Sequence, residues 1–261
     1  MTRVDVLLPF PGDGGFLVDA MRSLQAQTLT DWHAWLVLDG IDEGAGAQAS
    51  AIAAGEPRVT LLVPQDGHAQ ALRFASRHGD APLLCVLDGD DLLEAGALQA
   101  LASHMDGQPA LAMAYSAHRR IDAAGRALPD DPLDALPYSP AALLLDFMVG
   151  PLRMIRREAF DAVGGFSTAF PDAPDYDLCL RLSEHGPVDK LPRPLYVRRV
   201  HARSDELLRW AERIEDRYRA FVAAVQRRGL DACYDCRLLI DSRHILMPLR
   251  PFGGWSVPGT R

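Results

Sequence analysis

The chain is 261 residues long, with a formal net charge of −8 and an isoelectric point near 5.4. Sequence-independent nucleic-acid binding depends on an excess of Lys and Arg, so a nucleic-acid partner is excluded by this balance. The length suits one compact unit with a small C-terminal appendage rather than several domains.

Val4-Asp5-Val6-Leu7-Leu8, closed by Pro9, reads as a strand, and Gly15 to Gln27 reads as a helix through Phe16, Leu17, Ala20, Met21 and Leu24. A second buried strand, Trp35-Leu36-Val37-Leu38, ends at Asp39-Gly40. An alanine-rich helix from about 45 to 54, a strand from 59 to 63, a helix from 69 to 78 and a strand from 83 to 87 follow. Strand and helix in alternation specify a parallel sheet covered on both faces, with ligands beyond the carboxyl ends of the strands. A helix is expected from 96 to 105, a strand from 112 to 115, and a turn between short strands at 121 to 126. Ser139-Pro140 supplies an N-cap and an N1 proline for a helix to Phe147. Further on, 152 to 155 is extended, while 158 to 163 and 175 to 184 are helical. The last helix, 205 to 228, has Leu207, Trp210, Ala211, Ile214, Tyr218, Phe221, Val222 and Val225 on one stripe and stops at Gly229.

Four cysteines are too few for a disulfide scaffold in a chain of this length. Cys85 and Cys179 read as small buried hydrophobes, and Cys233-x-x-Cys236 has no second pair at zinc spacing. Val6-Leu7-Leu8 is too short for a signal-peptide core, and no apolar run approaches the roughly 20 residues that cross a bilayer. A cytoplasmic location is expected.

The strand at 83 to 87 runs into Asp88-Gly89-Asp90-Asp91. Carboxylates two residues apart on extended backbone turn toward the same side, and such a pair can grip a hard divalent cation. Magnesium or manganese held by one or two carboxylates fills its remaining positions with water and phosphate oxygens, so the pair points to a phosphorylated substrate. The bland alternative is a solvated turn or helix cap. Asp39 falls at another strand end, on the same side of the expected sheet.

Several ordered segments now converge: Leu7-Leu8-Pro9-Phe10, Ser23 to Thr28, Leu38-Asp39-Gly40, Leu72-Arg73-Phe74, Leu87 to Asp91, Val163-Gly164-Gly165-Phe166, Asp175 to Leu182, and Leu195 to His201. Across residues 3 to 204 the chain resembles the family 2 glycosyltransferases. That resemblance implies a GT-A fold, a Rossmann-like mixed and mainly parallel α/β sheet flanked by helices, here with a C-terminal helical extension. It divides the chain into a nucleotide-sugar-binding half (1–115), an acceptor-binding half (116–204), and a C-terminal helix and tail (205–261). It implies metal-dependent inverting transfer of a sugar from a UDP- or dTDP-type donor to an acceptor hydroxyl in bacterial surface glycan synthesis.

The resemblance also distributes roles. Asp88 and Asp90 correspond to the metal-binding pair, with Mn2+ or Mg2+ as cofactor, and His201 is a third ligand. Asp175 is the general base, Asp177 the runner-up, and Asp91 joins the metal site, orients the loop or caps a helix. Pro9, Phe10, Asp39, Arg73, Asp88 and Gly89 are expected around the nucleotide sugar, and Gly164-Gly165-Phe166 against the donor or acceptor. Arg181 is expected in a structural ion pair, while His68, His78, His118 and Trp32 read as structural or surface residues. Departures from the family pattern stand at Leu38, Gly12, Phe74 and Pro174. They keep a non-catalytic nucleotide-sugar-binding member in view. A sugar nucleotidyltransferase is disfavoured, because Pro9 to Gly15 contains no Lys or Arg.

The partners implied are a nucleotide-sugar donor and a glycan or lipid-linked acceptor, the latter contacted by 116–150 and 165–175. The stripe on the 205–228 helix is a candidate for docking on the domain or for forming a homodimer, and its arginines for peripheral contact with the inner membrane.

Overall fold

The computed structural model describes residues 2–10, 15–39, 43–62, 67–202 and 210–230, together with the backbone of four short strands between 234 and 251. β1 (Val4–Phe10) is buried along its whole length, as a strand covered on both faces must be. Its side chains alternate: Val4, Val6, Leu8 and Phe10 enter one apolar cluster and Leu7 the cluster on the other face. The exception is Asp5, 2% exposed. It accepts from Trp35 Nε1, from the Ala81 backbone N–H and from Arg157 Nη2 at 2.9, 2.9 and 2.7 Å, so its buried charge is paired and hydrogen-bonded.

α1 (Leu17–Gln25), β2 (Trp32–Leu38), α2 (Glu43–Gly55), β3 (Val59–Leu61), α3 (His68–Ala75) and β4 (Leu83–Val86) complete the alternating first third. After them come β5 (Leu92–Leu93), α4 (Ala97–Gly107), β6 (Met113–Asp122), a 3-10 turn at Pro132–Ala135 and α5 (Pro140–Leu145), whose Ser139 cap accepts from Ala142 N–H at 2.9 Å. β7 (Arg153–Arg156), α6 (Arg157–Ala162), α7 (Pro174–His185), β8 (Val188–Val200) and α8 (Trp210–Arg227) follow.

The sheet order is β3-β2-β1-β4-β7-β6-β8-β5. β3, β2, β1 and β4 are parallel, β7 is antiparallel to both its neighbours, β6 and β8 are parallel, and β5 is antiparallel to β8. The sheet is therefore mixed and mainly parallel, as the family resemblance implies. Register decides where the site lies. Phe10 sits beside Leu38 and Leu7 beside Val86, so the chain leaves β2 at Asp39 and β4 at Asp88 along one edge.

β6 is longer than the expected 112–115 strand, because β8 pairs with it over ten of its residues, with register shifts at Ser116–His118 opposite Pro192 and Pro194. Prolines cannot donate to a ladder, and a bulge accommodates them. The expected division at 115/116 falls inside β6, so one continuous sheet runs through both halves.

Part of the stripe on the last helix is buried within the chain. Ala220, Phe221, Ala224 and Val225 are at most 2% exposed in the core that also holds α7. Of the stripe on which a homodimer was expected, Ile214, Phe221 and Val225 are buried in this chain, Tyr218 and Val222 are partly exposed, and Ala211 is exposed. Of the arginines on this helix, Arg219 pairs with Asp216, Arg227 and Arg228 pair with Glu184, and Arg213 and Arg217 line a cleft. Among the described residues no helix is long and apolar enough to cross a membrane. Beyond α8, β9 (Tyr234–Asp235) pairs with β12 (Arg250–Pro251), and β10 (Leu239–Ile240) with β11 (Ile245–Leu246), in a tail for which the sequence pattern carries no assignment. Cys85 and Cys179 are buried and free, and Cys233, Cys236 and the 205–209 start of the expected helix lie outside the described residues.

Candidate active site

A cleft opens at the carboxyl ends of β1 and β4. Pro9, Asp88, Asp90 and Asp91 line it together with Arg153, Asp175 and residues of α8. The acidic turn is held from both sides. Leu87 N–H donates to Leu7 O and Gly89 N–H to Pro9 O, continuing the β1–β4 ladder, while β5 pairs with β8 just after the turn.

Within the turn the three aspartates diverge. Asp91 is 5% exposed and accepts from Tyr196 Oη and from the Arg199 backbone N–H, both at 2.7 Å. It is neither a helix cap nor an open ligand; it ties the loop to β8. Tyr196 Oη in turn accepts from Asp88 N–H at 3.3 Å. Asp90 Oδ2 lies 3.0 Å from His201 Nε2, whose ring packs 5.1 Å from Phe16. Burial raises the Asp88 carboxyl; Asp90 and Asp175 push the same way, against His68 and Arg153. Burial followed by Asp90 and Asp88 holds Asp91 well above the usual range.

No group of three His, Cys, Asp or Glu side chains among the described residues is arranged to hold a metal ion. The donor chemistry nevertheless fits a hard divalent cation. Two carboxylates and an imidazole suffice when phosphate oxygens and water complete the shell. Crowded carboxylates at one cleft end are a charge excess that such an ion relieves.

Asp175 sits on the first turn of α7 after Pro174. Its Oδ2 accepts from Arg153 Nη1 and Nη2, both at 3.0 Å. Arg153 is anchored by donating Nε to Gly150 O at 3.0 Å and Pro151 O at 3.2 Å. Burial acts to raise Asp175, but Arg153, Arg213 and His68 outweigh it and hold the carboxyl below its usual range. Asp177 is placed differently. It is 1% exposed and bonded to Arg181 Nη2 and Nε at 2.6 and 3.0 Å, the structural ion pair expected of Arg181, and it does not line the cleft.

The expected nucleotide-side residues divide. Pro9 lines the cleft, and Asp39 ends β2, its N–H donating to Phe10 O at 2.9 Å. Phe10 is 1% exposed in the core, so its ring is a floor and not an open face for a base. Gly89 is where that floor requires glycine: a Cβ would stand 2.8 Å from Phe10 Cδ2 and 3.2 Å from Pro9 O. Arg73 is not on the cleft lining; it donates to Thr168 Oγ1 at 3.3 Å and borders a second cavity with Arg77, Arg157 and Phe166. Gly164 and Gly165 border that cavity too. With φ of 82° and 66° they close α6, and Gly165 N–H returns to Phe160 O at 2.9 Å, a helix-capping geometry.

Sequence reasoning missed five cleft residues. His68 opens α3 and acts electrostatically on Asp88 and Asp175. His118, 7% exposed on β6, donates its backbone N–H to Asp134 Oδ2 at 2.8 Å, and its Nδ1 lies 2.9 Å from the same oxygen. Arg153, Arg213 and Arg217 complete the set. A strand-edge arginine directly after Gly150-Pro151-Leu152 and an i, i+4 arginine pair were the available signals, and neither says which partner it meets. The expected acceptor segments do reach the cleft, through Asp131, Asp134, Asp146, Phe147, Pro171 and Asp172.

Comparison with known proteins agrees with this architecture. The chain is 25% identical over 231 residues to a chondroitin synthase of Escherichia coli, covering 87% of this chain and 33% of that protein. It is 30% identical over 197 residues to the O-antigen biosynthesis protein RfbC of Myxococcus xanthus, covering 72% of this chain and 15% of the relative. The chain thus spans a third or less of these two curated relatives. Among solved structures, the mannosyltransferase PcManGT from Pyrobaculum calidifontis, in complex with GDP-Man and Mn2+, superposes with a TM-score of 0.70 at 20% identity, covering 86% of this chain and 64% of its own. TarS of S. aureus, in complex with UDP-GlcNAc, gives a TM-score of 0.70 at 13% identity, covering 88% and 70%. The family model for glycosyl transferase family 2 matches residues 5–164, more than half of the chain, which therefore belongs to that family.

Proposed function

We propose that this protein is a metal-dependent inverting glycosyltransferase that moves a sugar from a nucleotide diphosphate sugar of UDP or dTDP type to an acceptor hydroxyl in bacterial surface glycan synthesis. The observation that carries the reading is that Asp88, Asp90 and Asp175 line one cleft. Family membership supports it, as do the donor named in each solved neighbour, GDP-Man with Mn2+ in one and UDP-GlcNAc in the other.

Asp88, Asp90 and His201 would hold the cation, which supplies positive charge where the departing diphosphate gathers negative charge. Asp91, Tyr196 and Arg199 keep the acidic turn rigid beneath them. Asp175, kept ionised by Arg153, receives the acceptor hydroxyl proton at Oδ1 or Oδ2 as that oxygen attacks the anomeric carbon from the face opposite the leaving group. Pro9, on the cleft lining, and Asp39, at the end of β2, would contact the nucleotide.

The test is a thermal-shift panel of nucleotide sugars with and without Mn2+, followed by nucleotide release with the best donor. Binding that requires metal, and release that stops on chelation and in Asp175→Asn, are expected. A fully active Asp175→Asn protein, or release indifferent to chelator, would sink the mechanism.

A further inference from the structure

The C-terminal helix does more than close the core. α8 is clamped along its length: Asp216 Oδ2 accepts from Asp172 N–H at 2.9 Å, Phe221 is 1% exposed, and Arg228 Nη2 donates to Ser183 Oγ at 2.9 Å. With Ile214, Phe221 and Val225 turned into the core, the neighbouring face presents Arg213 and Arg217, one turn apart, to the cleft beside Asp175.

Arg213 differs from several other arginines of the core and cleft. Arg153 is matched by Asp175, Arg157 by Asp5, Arg181 by Asp177, and Arg219 by Asp216. Arg213 is half-buried on the cleft wall and makes no hydrogen bond or ion pair with any described residue. Its field reaches Asp175 without contact. Asp146 and Asp172 line the same end, and neither lies within ion-pair distance of it. Next to it, Phe147 is a partly exposed ring on the cleft lining, braced by Tyr176 at 5.2 Å and flanked by the guanidiniums of Arg153 at 5.3 Å and Arg217 at 5.6 Å. A braced ring offers an apolar face to the C–H face of a pyranose, and an uncompensated guanidinium prefers a planar or tetrahedral oxyanion over a hydroxyl.

We infer that Phe147 and Arg213 form an acceptor subsite for a sugar bearing an anionic group, a carboxylate or a phosphate, which Arg213 grips while Phe147 carries the ring. The inference rests on the glycosyltransferase reading for the word acceptor, because Asp175 marks the acceptor side. The binding preference itself does not depend on turnover.

Ligand-detected NMR titration of the full chain tests it with four probes: methyl β-glucuronide against methyl β-glucoside, and glucose 6-phosphate against glucose. Wild-type protein is expected to bind at least one anionic probe about tenfold more tightly than its neutral partner, as one charge-assisted hydrogen-bonded contact allows. Which anionic probe shows the preference identifies carboxylate or phosphate. Arg213→Gln should erase the preference, Arg213→Lys should keep part of it and thereby control for folding, and Phe147→Leu should weaken charged and neutral probes alike. Equal binding of charged and neutral probes by wild type, or a preference that survives Arg213→Gln, overturns the inference. So does an Arg213→Gln protein that loses UDP affinity while keeping the preference, since Arg213 then serves the donor. Nucleotide-sugar thermal shifts on the same samples separate the two levels: their absence counts against the glycosyltransferase reading, whereas normal shifts without a charge preference count against the subsite alone.

Discussion

Arg153→Met leaves Asp175 in place and removes the cation that holds it ionised. Arg153 makes two contacts to Asp175 Oδ2 at 3.0 Å and is 11% exposed at its side chain, against 27% for Asp175. With the guanidinium gone, burial is opposed chiefly by Arg213 and His68, and the Asp175 pKa rises. An arginine at this distance lowers a carboxylate by roughly 1–3 units, equivalent to about 1.4–4 kcal/mol. In the wild type the folded pKa lies below the ordinary value, so a base at this position is ionised throughout the neutral range and contributes no acid limb there. In Arg153→Met the limb should climb by about 1–3 units toward the ordinary carboxylate range, so that activity is lost at the acid end of the profile and retained at neutrality. The assay is nucleotide release from about pH 3 to 8 at fixed metal. Thermal melts should accompany it, since breaking a partly exposed pair costs about 2 kcal/mol. A variant whose pH profile merely scales down from wild type, with the acid limb unmoved, would refute Asp175 as the base or Arg153 as the group that tunes it.

Other perturbations follow from the same contacts. Gly89→Ala forces a methyl to 2.8 Å from Phe10 Cδ2, and it should cost about 1–3 kcal/mol in a denaturant melt while displacing the acidic turn, so that metal-dependent nucleotide binding falls with it. Arg157→Met strands Asp5, a carboxylate 2% exposed, and should lower stability by roughly 3–5 kcal/mol; Asp5→Asn in the same background should recover part of that loss. Glu56, paired with Arg58 at 2.8 Å, has its carboxyl lowered to about 2. Because the folded value is depressed, its contribution is present above the ordinary glutamate pKa near 4.5 and is lost as pH falls toward about 2. Glu56→Gln should therefore cost about 1 kcal/mol at pH 7, after allowance for solvent screening by the partly exposed pair, and nothing at pH 2. An equal deficit at both values would show that the pair is not the cause.

Much of this protein was legible as local pattern. Alternating buried strands and amphipathic helices, the Ser139-Pro140 cap, the acidic turn after β4 and the Asp177–Arg181 spacing are properties of neighbours in the chain, and hydrophobic periodicity reports them directly. Asp88, Asp90, His201 and Asp175 were nameable because each sits in a recognisable short segment at a strand or helix end. What sequence could not supply was which groups meet across long separations. Asp91 finds Tyr196 and Arg199 on β8, Asp175 finds Arg153 from another strand, and Arg73 turns toward Thr168 instead of the acidic cleft. The stripe of the last helix was equally plain, but only packing against α7 decided that it closes this chain's own core and so carries Arg213 to the cleft. Periodicity encodes which face of an element is apolar, whereas the surface that covers that face, and the charges brought together when it does, are fixed by the folded chain as a whole.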